Sequence, residues 1–283
     1  MRKKIVLPTD FSRNAWGAIN YAMDLFKNES CDFYVLNTYT TTGPEMEKLM
    51  IANPDKNLSE IAEEQAQKGL NKISQRISFR DEALDHNYIY LSQENDLVSA
   101  IKDIVEKKDI ELVVMGTKGK TEASDVAFGG NAVTVMEKVR NCPVLAIPPN
   151  VIFTEPNEII FPTSFRTHFK QRELTHLIEI ARITNAPIRI LHIQKESALD
   201  EIQLNYKALL EECFEGLEYS FHTLENADIQ VALQFFVQSR GSEMIAFVNK
   251  KHTFFSTMFS KPMVKTIGVN AKVPLLAMHD YRN

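Results

Sequence analysis

The amino-acid sequence predicts an α/β protein built as two tandem, doubly wound parallel sheets of five strands each. Three observations carry this. Apolar segments of strand length alternate with amphipathic stretches of ten or more residues, the pattern of parallel βαβ units covered by helices on both faces. The opening Ile5-Val6-Leu7-Pro8-Thr9-Asp10-Phe11 returns 154 residues later as Ile159-Ile160-Phe161-Pro162-Thr163-Ser164-Phe165, the sign of an internal repeat. The chain of 283 residues is also about twice the length of a common single domain.

The first strand, near residues 3–8, is the run Ile5-Val6-Leu7 closed by Pro8. Asp10, Phe11 and Ser12 follow, and Asp and Ser are favoured N-caps for a helix near 13–27. The second strand, near 33–38, holds Tyr34-Val35-Leu36-Asn37, answered at an offset of 155 by Arg189-Ile190-Leu191-His192. From Thr41 to Glu82 the first half carries a long connection with a helix near 58–78, and the second half is shorter there by about 23 residues. Connections absorb such differences at little cost in free energy.

A third strand near 87–92 leads into a helix near 96–108, where the offset becomes 132: Asp96, Ala100, Val105 and Glu111 face Asp228, Ala232, Val237 and Glu243. This alignment decides an ambiguous segment. Gln230 to Val237 has the composition of a strand, yet Ile229, Ala232, Leu233, Phe236 and Val237 follow helical i, i+3, i+4 spacing and align with a helix. A fourth strand near 111–116, a glycine-rich loop, a helix near 131–140 and a strand near 143–147 close the first half. At an offset of 131, Phe128 faces Phe259, and Cys142-Pro143-Val144 faces Val273-Pro274-Leu275. The remaining strands fall near 158–162, 187–193, 217–224, 243–248 and 274–278. Pro148-Pro149-Asn150 and Thr154-Glu155-Pro156-Asn157 have the content of a linker, so the domains are predicted as 1–149 and 150–283.

Composition narrows the function. With 44% hydrophobic and 24% charged residues the chain is neither disordered nor fibrous. A formal charge of -5 argues against a general surface for nucleic acid or anionic membrane, so any anion site has to be local. Cys31, Cys142 and Cys213 are scattered and odd in number, which excludes a disulfide framework or zinc ribbon and suits a reducing cytosol. The basic start is followed by too short an apolar run for a signal peptide, and no run reaches the ~18 residues of a membrane span. A cytoplasmic location is the expectation.

In doubly wound sheets, ligands bind beyond the carboxyl ends of the strands. There the sequence places Pro8-Thr9-Asp10, Asn37-Thr38 and Gly116-Thr117-Lys118-Gly119-Lys120, with Gly129-Gly130-Asn131 just before the last helix of the half. Four of the chain's ten glycines sit in this one element. Glycine permits close backbone approach to an anion and positive φ, and a helix N-terminus offers unpaired N–H groups. Lys118 and Lys120 add local positive charge. The alternative is an inert tight turn, and Asp10 could serve simply as a cap. Gly119-Lys120-Thr121 would end a Walker A motif, but the glycine that motif needs at position 114 is Val114.

Gly116-x-x-Gly119, nine residues, then Gly129, with an aspartate closing the first strand, resembles the universal stress protein family. The resemblance covers the chain as a tandem pair of Rossmann-like domains, similar to the adenine nucleotide alpha hydrolase group. It implies that ATP or AMP, with or without Mg2+, is held in the N-terminal half only. Residue by residue, it assigns Asp10 and Thr38, beside Pro8 and Thr9, to the adenosine end. Gly116, Gly119, Gly129, Gly130 and Asn131 go to the ribose and phosphate end, with Lys118 beside them as local charge. It also implies an intramolecular pseudo-dimer joined through Val144 to Ile147 and Leu275 to Met278; a further homodimer stays open.

Two departures qualify this. Gly130 stands where the family has Ser or Thr, removing one hydroxyl donor worth ~1.5–3 kcal/mol to a charged acceptor. In the second half Ser164, Val248, Lys251, Ser260 and Lys261 replace Asp10, Gly116, Gly119, Gly129 and Gly130, so no nucleotide site is expected there. A basic loop of Lys250, Lys251, His252 and Lys261 could hold an anion or merely be solvated, and His252-Thr253-Phe254-Phe255 with Phe259 reads as buried or as a partner surface. Cys142, His192 and His222 read as structural. No catalytic triad or metal motif presents itself, which leaves slow ATP hydrolysis at most. The competing readings are a nucleotide-independent interaction module and an adenylate-handling enzyme.

Overall fold

Runs such as Ile5-Val6-Leu7 and Val144-Leu145-Ala146-Ile147 are apolar at every position, as strands covered on both faces must be. A computed structural model of the protein, describing residues 2–42, 56–80, 85–119, 129–194, 198–225, 227–249 and 272–280, bears this out. The first half contributes β1 (Lys3–Pro8), α1 (Arg13–Leu25), β2 (Cys31–Tyr39), α2 (Leu58–Ser78), β3 (His86–Glu94), α3 (Leu97–Lys108), β4 (Leu112–Gly116), α4 (Gly130–Lys138) and β5 (Val144–Ile147). The second contributes β6 (Ile159–Thr163), α5 (Gln171–Thr184), β7 (Ile188–Gln194), α6 (Glu201–Cys213), β8 (Tyr219–Glu225), α7 (Ile229–Arg240), β9 (Met244–Asn249) and β10 (Leu275–His279). The helix expected before the closing strand of the second half lies outside the described residues.

The two expected sheets are continuous. One ten-stranded sheet runs β3-β2-β1-β4-β5-β10-β9-β6-β7-β8. β5 and β10 pair antiparallel, Leu145 opposite Leu276, and every other neighbouring pair is parallel. That join is the strand pairing that the resemblance implied. The registers also follow the sequence offsets: Ile5 stands opposite Phe33 and Leu112, while Ile159 stands opposite Ile188 and Met244.

Alternation along the strands builds two cores, one on each face. Ile5, Leu7, Leu145, Ile147, Leu276 and Met278 point into one, beneath α1, α2, α5 and α6. Val6, Val144, Ala146, Leu275 and Ala277 point into the other, beneath α3, α4 and α7. The ambiguous segment is helical, and α7 buries the five residues that its spacing selected. Asp228 caps it through Gln230 and Val231 N–H, and Gly241, at φ 67°, ends it. No helix among the described residues is long and apolar enough to cross a membrane.

Candidate functional site

The carboxyl ends of β1 and β4 meet in the middle of the first five strands. Where β1 ends, the chain turns sharply: Phe11 is left-handed at φ 64°, a conformation that costs a bulky residue about 1–3 kcal/mol. Hydrogen bonds hold it there. Thr9 Oγ1 accepts the Phe11 N–H at 3.0 Å, Asp10 Oδ1 accepts the Ser12 N–H at 3.0 Å, and the buried Asn37 amide donates to the Thr9 carbonyl at 2.7 Å. Ser12, rather than Asp10, caps α1, accepting from the Ala15 N–H.

Opposite this turn, β4 runs into Gly116-Thr117-Lys118-Gly119. The Thr117 N–H donates to the Ile147 carbonyl at 3.0 Å, and Gly129 returns the chain by donating to the Thr117 carbonyl at 2.7 Å. None of these loop glycines has positive φ; among the described glycines only Gly216 and Gly241 do. The expectation of left-handed loop glycines is therefore corrected. Close approach is the reason for glycine here. A Cβ on Gly116 would stand 2.8 Å from Asn14 Oδ1, and one on Gly119 3.2 Å from Asp10 Oδ2.

Between turn and loop lies a cleft of about 190 Å3. Pro8, Thr9, Asp10 and Thr38 line one side, and Gly116, Lys118, Gly119 and Asn131 the other. Gly129 and Gly130 do not line it: Gly129 is the N-cap of α4, and Gly130 its first residue. Gly129 makes no side-chain cap, and the first bond of the helix runs from Val133 N–H to Gly129 O. The amides of Gly130, Asn131 and Ala132 thus have no acceptor within α4, leaving a partial positive charge beside the cleft. Lys120 lies outside the described residues.

Leu97 and Met115 also line the cleft, supplying apolar surface that the sequence did not single out. Asn14 was missed as well. Its contacts lie 104 and 133 residues away, at Lys118 and Ile147, and no local pattern announces them. An acidic oxygen, apolar walls and an open helix start suit a ligand with hydroxyls or ring nitrogens at one end and negative charge at the other. Among the described residues no cluster of His, Cys, Asp or Glu could hold a metal ion.

The corresponding end of β6 keeps the turn with other side chains around it. Phe165 is left-handed at φ 53°, Thr163 Oγ1 accepts its N–H, and Ser164 takes the place of Asp10 by accepting from Arg166 N–H. His192 Nδ1 bonds the Thr163 carbonyl at 3.0 Å, the task of Asn37 in the first half, and burial lowers its pKa. Gln203 donates to the Ser164 carbonyl, and Arg166 pairs with Asp200. Val248, where β4 has glycine, is buried. His222 bonds Ser220, and Cys142 is buried against the Ile110 carbonyl with its thiol pKa raised by burial. Lys250, Lys251, His252, Phe254, Phe255, Phe259, Ser260 and Lys261 lie outside the described residues.

The model of the universal stress protein family matches residues 1–148. The chain belongs to this family. A universal stress protein of Methanocaldococcus jannaschii is 28% identical over 145 residues, 51% of this chain and 81% of the relative. Among solved structures, a universal stress protein from Archaeoglobus fulgidus superposes with a TM-score of 0.73 at 17% identity, covering 97% of both chains. A Pseudomonas aeruginosa protein of unknown function superposes at 0.61 with 12% identity, covering 98% of this chain and 92% of its own. Both structural likenesses bear on the fold.

Proposed function

We propose that the first-half cleft binds an adenine nucleotide, ATP or AMP, and that the protein is a nucleotide-binding stress-response member of its family. The observation that carries this is the meeting of Asp10 and Gly119 across one cleft beside the uncapped start of α4. Asp10 and Thr38 take the nucleoside, with Leu97 and Met115 as apolar wall for the base. Lys118, Gly119, Asn131 and the free amides of α4 take the phosphates. Gly129 contributes by shaping the loop, since its N–H is already bonded. With Gly130 in place of a hydroxyl residue, affinity is expected one to two decades below that of a site with Ser or Thr there. Mg2+ would accompany the phosphates rather than sit in a protein cage.

The second half is read as a degenerate copy of the domain, with boundaries 1–149 and 150–283. Matching strand order, registers that follow the sequence offsets, and a family match ending at residue 148 support this division. The exchange of Asp10, Gly116 and Gly119 for Ser164, Val248 and Lys251 leaves the second half a structural or regulatory role. A cytoplasmic setting suits both the ligand and the buried thiols.

Titration calorimetry with ATP, ADP and AMP, each with and without Mg2+, tests the proposal. Wild-type protein should bind with submillimolar affinity and one site per chain. Gly119→Val, which puts a branched side chain against Asp10, should abolish binding while circular dichroism stays native. No heat from folded protein at millimolar nucleotide would overturn the reading, and binding that survives Gly119→Val would move the site elsewhere.

A further inference from the structure

We infer that Asn14 is a positioning residue for the cleft, a clamp that sets the shape of the Gly116–Gly119 loop; its bearing on affinity rests on the nucleotide reading above. Asn14 sits in the first turn of α1. Its Oδ1 accepts the Lys118 N–H at 2.7 Å, and its Nδ2 donates to the Ile147 carbonyl at 3.1 Å. One side chain therefore ties the start of α1 to the loop after β4 and to the end of β5. A primary amide is the group for this task, because it offers one acceptor and one donor about 2 Å apart on a short stem.

The clamp and Gly116 require each other. A Cβ on Gly116 would stand 2.8 Å from Asn14 Oδ1, 2.9 Å from Cγ and 3.0 Å from the Asn14 backbone carbon. Any side chain at 116 would expel the amide. The Ile147 carbonyl accepts from both Asn14 and Thr117, and Gly129 bonds back to Thr117. Both stems of the loop are thereby pinned, and the outgoing stem carries Gly119 to Asp10. In the second half Val248 stands at the position of Gly116.

The experiment uses the full chain as wild type, Asn14→Ala, Gly116→Ala and the double variant. Two quantities are read: nucleotide affinity by calorimetry, and amide hydrogen exchange at residues 116–119 without ligand. In Asn14→Ala the Lys118 amide should exchange at least tenfold faster, and affinity should fall about tenfold, the effect of roughly one hydrogen bond. Gly116→Ala should do the same, because it displaces the Asn14 amide. In the double variant the second change should cost less than it does alone, since its two nearest obstacles, Asn14 Oδ1 and Cγ, are gone and only the 3.0 Å approach to the backbone carbon of residue 14 remains. Unchanged exchange at Lys118 in Asn14→Ala, or independent effects of the two substitutions, would overturn the inference. Absence of nucleotide binding by wild type would defeat the nucleotide reading instead, and exchange at Lys118 would still judge the clamp. Should Asn14→Ala fail to fold, Gly116→Ala gives the same exchange readout.

Discussion

Glu158 is among the most constrained side chains in the molecule. It is 5% exposed just before β6, and its carboxylate accepts from Arg189, Arg240 and Ser242 at 2.6–3.0 Å. Burial alone would raise its pKa, but the three donors and the charge of Arg240 outweigh burial and hold it at about 2. A folded-state pKa below the unfolded value means stability that is present above about pH 4.5 and lost as pH falls toward 2. Glu158→Gln leaves two guanidiniums short of an acceptor and should cost roughly 3–4 kcal/mol by urea denaturation at pH 7. The lower part of the 3–5 kcal/mol range for broken buried pairs applies because Arg240 is partly solvated. The variant should also lose the acid transition between pH 4.5 and 2; a loss under 1 kcal/mol would refute the account. Nothing in the sequence pointed to Glu158, because its partners lie 31 and 82 to 84 residues away. Asp10 and Gly119 were legible because a spacing motif and the strand-end rule both select them.

At the scale of elements, helix α2 and the β1–α1 turn fit as a pair. The Phe11 ring occupies the place where a Cβ on Gly69 would stand, 2.3 Å from Cζ. A glycine in the middle of a 21-residue helix is a cost of about 1 kcal/mol relative to alanine, accepted here to admit the ring. Gly69→Ala should therefore destabilise by about 1–3 kcal/mol despite better helix propensity, as overpacking does. Adding Phe11→Ala should reverse the sign of the alanine effect at 69, so that Gly69→Ala becomes stabilising in that background. Thermal midpoints of the four proteins check this, and additive effects would exclude the coupling. Helix existence and spans were legible from periodicity; that α2 carries a glycine for the sake of Phe11 was not, because the two are 58 residues apart.

The whole molecule is held across its centre by strand pairing and by charge. β5 and β10 join the sheet, Lys3 pairs with Glu179 and Lys27 with Glu155, while Arg140 bonds the Asn249 carbonyl and Asp280. A half-buried histidine and a buried one lie in this region. His176 on α5 and His279 on β10 are both pushed down to about 4, first by burial and then by the nearby cations Lys3 and Arg140 respectively. For His279 the Asn249 backbone and the Asp280 carboxylate pull the other way without offsetting this. The folded state therefore disfavours the imidazolium, and the unfolded chain binds more protons between pH 6.5 and 4. Stability is fully present above pH 6.5 and declines as pH falls to about 4. Urea midpoints at pH 7.5 and 4.5 should differ accordingly, and His279→Leu should flatten the slope with little loss at pH 7.5. A slope unchanged in His279→Leu would show that other groups carry it.

The order of strands and helices along the chain and the internal offsets between its halves were determined by the sequence alone. These follow from periodicity and repetition, which are local or translational properties of a chain. The tertiary structure decided why Gly116 and Gly119 are glycine, that Gly129 spends its N–H on Thr117, and that Asn14 ties the start of α1 to the ends of β4 and β5. It also decided that Gln203 bonds the Ser164 carbonyl and Arg166 pairs with Asp200 beside the end of β6. Each depends on contacts between atoms far apart in sequence, where a few tenths of an ångström separate a fit from a clash.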